Sequence, residues 1–79
     1  MIKPGTEAVR VLIVDDHKVV RVGLQTVLSR QDGITVVGEA ATVTDAIAES
    51  SRLQPDVVLM DVRLSDGNGV DACRAIRDS

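Results

Sequence analysis

The sequence predicts an α/β protein built on a parallel sheet, and three observations carry that expectation. Apolar runs of strand length alternate with stretches whose apolar residues recur at helical spacing, the pattern of βαβ units. Two of the runs, Val9 to Val14 and Val57 to Met60, stop abruptly at acids, Asp15-Asp16 and Asp61. Carboxylates are poor strand formers, so each acid marks where a buried strand emerges at its C-terminal edge. That edge is where open α/β sheets bind ligands.

Residues 1–8, which include Pro4-Gly5, read as a disordered lead-in to a single unit over residues 9–79. The first strand is expected over Val9 to Asp15, with Asp16 placed to cap the first helix. That helix turns Val20, Leu24, Val27 and Leu28 inward, leaves Lys18 and Arg21 on a solvated face, and ends near Arg30 before Asp32-Gly33. Ile34 to Ala40 reads as the second strand. Thr42 opens the second helix, because Thr42-x-x-Asp45 approximates a capping box with Asp in place of the usual Glu. Val43, Ala46, Ile47 and Leu53 form its apolar face, and Pro55 closes it. The third strand is expected over Asp56 to Asp61. In the loop Ser65-Asp66-Gly67-Asn68-Gly69 the glycines serve the turn and the start of a helix, since their spacing matches neither G-x-G-x-x-G nor a P-loop. The third helix is expected from about Val70, with Cys73 (a small core residue) and Ile76 inward.

Parallel strands require right-handed crossovers, and Asp15, Asp16 and Asp61 meet only if the first and third strands are neighbours. Spatial order 2-1-3 follows, with the first helix on one face and the second and third on the other. Winding reverses at the first strand, which puts the acids at a topological switch point. Three carboxylates there make an oxygen-rich pocket suited to a hard divalent cation such as Mg²⁺, whose charge relieves their repulsion.

Composition narrows the rest. A chain of 79 residues is one domain at most. It buries only roughly 60–65% of its unfolded surface. An apolar fraction of 44% with no Phe, Trp or Tyr describes a globular chain whose core is Val, Leu, Ile, Met and Ala. The net charge of −3 offers no basic footprint for nucleic acid, and no aromatic platform exists for base stacking. Cys73 alone excludes an internal disulfide and a multi-cysteine metal site. No apolar run reaches the ~20 residues of a membrane span, and no signal-peptide core is present, so a cytoplasmic protein is expected.

The wording around the acids is specific. Val14-Asp15-Asp16-His17, then Val37-Gly38-Glu39-Ala40, then Met60-Asp61-Val62-Arg63-Leu64-Ser65-Asp66-Gly67-Asn68-Gly69 resembles the receiver domain of two-component response regulators, most closely the NarL/FixJ class. The resemblance runs from Val9 to Ser79. It implies a flavodoxin-like (βα)5 fold represented by its first three βα units, so that residues 9–79 are a partial receiver domain. It implies that Asp61 is the phosphoacceptor for a sensor histidine kinase, and that Asp16 and Asp61 bind Mg²⁺ directly. Asp15 would act through a bound water, and the backbone carbonyl of Arg63 would complete the set. His17 is expected at the pocket mouth, modulating the site at most. In this class DNA is bound by a C-terminal helix-turn-helix domain, absent from these 79 residues.

Two departures from the family pattern bear on activity. Ser65 stands where the family often has Pro, which loosens the loop and leaves the chemistry intact. The family's two further βα units carry a Thr or Ser and a Lys that contact the phosphoryl group, and neither follows here. A truncated or partial chain is therefore expected, weakly phosphorylatable at best, with strand three partly bare on either Val57 and Leu59 or Val58 and Met60. Self-association or domain swapping would cover that surface. An interaction fragment that pairs with other receivers is one rival reading. A Mg²⁺-dependent phosphatase of the haloacid dehalogenase type is another, although it wants an acid where Arg63 stands. The receiver itself is a phosphoacceptor rather than an enzyme.

Overall fold

The computed structural model describes residues 8–61, 63, 64, 67, 68 and 74–77. The lead-in at residues 1–7, Cys73 and the expected start of the third helix lie outside them. β1 (Val9–Val14), α1 (Lys18–Ser29), β2 (Ile34–Ala40), α2 (Val43–Leu53) and β3 (Val57–Met60) follow in the predicted order. Residues 74–77 are helical. The three strands form one parallel sheet of order β2-β1-β3.

β1 is the centre of this sheet because it is the strand with no water-facing side. Val11, Leu12, Ile13 and Val14 are all buried, as a near-continuous aliphatic run between two neighbours requires. Alternation then splits the strand between two layers. Leu12 and Val14 join Ala40 and Ala46 in a core completed by Val43, Leu53, Val58, Met60 and Ile76, so α2 and residues 74–77 share one face. Val11 and Ile13 point to the α1 face. Gly38 allows the α2 layer to settle close, since a Cβ there would lie 2.6 Å from Leu53 Cδ1. The register slips by one residue opposite Val11 and Leu12, a bulge in β2 just ahead of that glycine.

Helix boundaries follow local hydrogen bonding. Thr42 caps α2 as expected, its Oγ1 accepting from the Asp45 N–H at 3.1 Å. Gln54 ends the helix with φ 50°, a left-handed residue just before Pro55. At α1 the expected cap is corrected: His17, not Asp16, holds the N-cap position, and its side chain makes no capping bond. The Asp15 carboxylate accepts the His17 N–H at 2.8 Å, which turns the chain once more before the helix begins.

The inward face of α1 is also corrected. Val20 and Val27 are exposed, while Arg21, Leu24 and Leu28 are partly buried against the sheet. Leu24 and Leu28 face inward as their spacing predicts, and Arg21 joins them through a polar bond described below. Exposed residues of β3 are Val57 at 41% and Leu59 at 37%, whereas Val58 and Met60 pack on the α2 core. Beyond β3, β4 (Arg63–Leu64) pairs antiparallel with β5 (Gly67–Asn68), a small ribbon whose second strand falls within the expected glycine loop.

Candidate functional site

The strand ends bring the acids together. Asp15 N–H donates to the Ala40 carbonyl at 3.0 Å and Asp61 N–H to the Val14 carbonyl at 3.0 Å, so the ladder continues one residue past β1 and β3. Both carboxylates therefore leave the same edge of the sheet. Asp16 and His17 follow Asp15 in the turn before α1. One ligand atom from each of Asp15, Asp16, His17 and Asp61 can be chosen so that all lie within 4.8 Å of one another. A divalent cation with oxygen ligands at ~2.0–2.1 Å spans about 4 Å between opposite ligands, so the cluster is near the size such an ion requires. Carboxylate donors suit Mg²⁺ or Mn²⁺, so the donor set fits the expected cofactor. Asp15 and Asp61 also border an open groove of about 370 Å³ between α1 and β3, walled by Val14, Leu24, Leu59 and Met60. What the structure records of Arg63 is its pairing with Asn68.

Electrostatics couple His17 to the acids. Its Nδ1 lies 2.9 Å from Oδ1 of Asp15 and 2.9 Å from Oδ1 of Asp16. The hydrogen bond to Asp15, then the charges of Asp16 and Asp15, raise the imidazole pKa above its ordinary value. Asp15 is held below the usual carboxylate range first by the His17 N–H, with the imidazole and Arg21 adding to it against an opposing desolvation. When protonated, His17 places its positive charge against the carboxylates of Asp15 and Asp16.

A pH effect on cation binding is expected from this arrangement. The folded-state pKa of His17 is raised, so its interaction with the acids is complete at low pH and lost as pH rises through that value. With its side chain 67% exposed, little of this reaches fold stability. Cation binding at these acids is expected to have the opposite dependence, because the imidazolium competes for the same carboxylates. Mg²⁺ titrations at pH 6 and pH 8 should show tighter binding at pH 8, and His17→Gln should flatten the difference.

Sequence periodicity missed Arg21 and Glu39. Arg21 was expected on a solvated face, yet its side chain is only 16% exposed and lies with Nε 3.3 Å from Glu39 Oε1. Its Nη1 donates to the Asp15 carbonyl at 2.5 Å. Placement of Glu39 on β2, one residue before buried Ala40 and thus on the α1 face, was the available signal.

A central strand flanked in order 2-1-3, with acids converging beyond its carboxyl end, is the architecture of a flavodoxin-like α/β module. The chain belongs to the response regulator receiver domain family, whose model matches residues 11–79. It is 47% identical over 70 residues to the response regulator protein VraR of Staphylococcus epidermidis, covering 89% of this chain and 34% of that protein. It is 50% identical over 66 residues to the DNA-binding transcriptional activator DevR/DosR of Mycobacterium tuberculosis, covering 84% of this chain and 30% of the activator. Among solved structures, the receiver domain of the NarL response regulator from M. tuberculosis superposes with TM-score 0.86 at 36% identity, covering 91% of this chain and 58% of that one. A LuxR-family response regulator from Aurantimonas superposes with TM-score 0.86 at 38% identity, over 91% of this chain and 51% of that one. The chain spans about a third of the length of these curated relatives. The NarL/FixJ resemblance therefore holds, and the family match does not favour the phosphatase reading.

Proposed function

We propose that Asp61 accepts a phosphoryl group from the phosphohistidine of a sensor kinase. A carboxylate oxygen of Asp61 forms the new P–O bond as the P–N bond of the donor breaks, and the electron pair leaves on the imidazole nitrogen, which takes up a proton. The convergence of Asp15 and Asp16 with Asp61 at one sheet edge carries this reading. Asp16 and Asp61, with Asp15 through a water and the Arg63 carbonyl, would hold Mg²⁺. Bound there, the cation offsets charge on the phosphoryl oxygens. The backbone bond from Asp61 N–H to Val14 O holds the acceptor against β1. Output by transcription regulation is inferred from the relatives, one of which is named a DNA-binding transcriptional activator. DNA contact belongs in this reading to a helix-turn-helix domain outside these residues. Among the described residues no helix is long and apolar enough to cross a membrane, and the proposed site of action is the cytoplasm.

The test is incubation with a small phosphodonor, with Mg²⁺ and with chelator. Metal-dependent incorporation of one phosphoryl group, labile to hydroxylamine and mapped to the peptide carrying Asp61, is the expected result. Label elsewhere, or incorporation unaffected by chelator, refutes the assignment.

A further inference from the structure

Arg21 departs furthest from the face expected for it, and its contacts lead to the acid cluster. Its guanidinium bridges the ends of β1 and β2, with Nη1 on the Asp15 carbonyl at 2.5 Å and Nε 3.3 Å from Glu39 Oε1. Asp15 is held from its other side by β2, where its N–H meets the Ala40 carbonyl at 3.0 Å. The carbonyl taken by Arg21 belongs to the peptide plane that joins Asp15 to Asp16. The preceding plane is held by the Asp15 N–H on β2 and the following one by the His17 N–H on Asp15 Oδ1, so fixing the plane between them sets the torsions at Asp15 and Asp16 and the directions in which both Cα–Cβ bonds leave the chain.

We propose that Arg21 is a positioning residue of the cation site: it locks the Asp15–Asp16 peptide so that both carboxylates converge with Asp61. This rests on the reading of the cluster as a Mg²⁺-dependent phosphoacceptor site. Arginine suits the task because its planar fork serves two acceptors in fixed geometry, which a lysine ammonium does not. Glu39 anchors the guanidinium at Nε and offsets its charge, so the group orients the acids without itself replacing the cation. Residues that orient metal ligands typically carry ~10–100-fold in metal affinity. Arg21 also borders an open cleft of about 320 Å³ lined by Lys18, Val22, Glu39 and Asp45 among others, so shortening it adds solvent-filled space rather than a sealed void.

The experiment is Mg²⁺ binding to the full chain by calorimetry, without phosphodonor, run beside urea melts. Arg21→Gln is expected to weaken Mg²⁺ about tenfold, and Arg21→Lys to recover only part of the loss. An unchanged Mg²⁺ affinity in Arg21→Gln, whatever happens to the melt, overturns the proposal and leaves the arginine a brace for α1. Full recovery by Arg21→Lys overturns it as well, since a point charge would then suffice. Should Arg21→Gln not fold, Glu39→Ala releases only the Nε anchor: weaker Mg²⁺ binding supports the lock, and unchanged binding refutes it. No Mg²⁺ binding by the parent chain defeats the site reading itself, a result distinct from a variant that binds like the parent.

Discussion

Asp61→Asn is expected to abolish phosphoryl incorporation, by a factor on the order of 10³ or more, while leaving the fold in place. The amide is nearly the same shape as the carboxylate but offers no anionic oxygen to attack phosphorus. It also removes one of the negative charges that make the cluster attractive to a divalent cation. Nothing in the substitution touches the bond that seats the residue, because the Asp61 N–H to Val14 carbonyl contact is made by backbone. Stability should therefore change by less than about 0.5–1 kcal/mol, and relief of like-charge crowding opposes any loss. Intact mass after treatment with phosphodonor and Mg²⁺ reads the outcome directly. Incorporation at the parent level in Asp61→Asn would move the acceptor elsewhere.

The parts of this fold that were legible in the sequence are those written in short-range chemistry. The aliphatic run Val11 to Val14 of β1 declared a strand buried on both sides, and the acids after β1 and β3 declared the edge where the chain leaves the sheet. The Thr42 cap needs only three residues to state itself, and it holds. Order 2-1-3 followed from handedness once the acids were required to meet.

What escaped depends on contacts between distant positions. Helical periodicity ranks residues by hydrophobicity, so it turned Val20 and Val27 inward and Arg21 outward. The Asp15 carbonyl and Glu39 give the guanidinium partners on the sheet side, which a ranking by hydrophobicity does not register. The start of α1 escaped for a similar reason, since the bond from His17 N–H to Asp15 Oδ1 competes with a cap at Asp16. Which half of β3 faces the α2 core was left open by a run of four apolar residues, Val57–Met60, that shows no alternation. Pairing of Val58 with Leu12 and Met60 with Val14 decides it. The β4–β5 ribbon had no strand signal, as its residues include Gly67 and Asn68.

Leu12→Ala is the substitution expected to cost most in stability, and the site should be lost with the fold. Leu12 is fully buried in β1, between β2 and β3, and packs with Val14, Ala40 and Ala46. It is also one of the two side chains that close over Gly38, so its Cδ1 occupies space no neighbour fills. Leu→Ala in such positions costs about 3–5 kcal/mol, because the surrounding structure relaxes only in part around the cavity. A small domain holds on the order of 5–10 kcal/mol in total, so roughly half or more is removed. At a urea slope near 1 kcal/mol per M, the midpoint should fall by about 3–5 M. Val57→Ala supplies the contrast: its side chain is already 41% exposed, and the loss should stay near 1 kcal/mol or less. Because β1 delivers Asp15 and Asp16 from its last residue, Mg²⁺ affinity should track the folded fraction in Leu12→Ala and remain at the parent level in Val57→Ala. Equal midpoints for the two variants would show that β1 does not bear the core, and the strand-end origin of the site would fail with it.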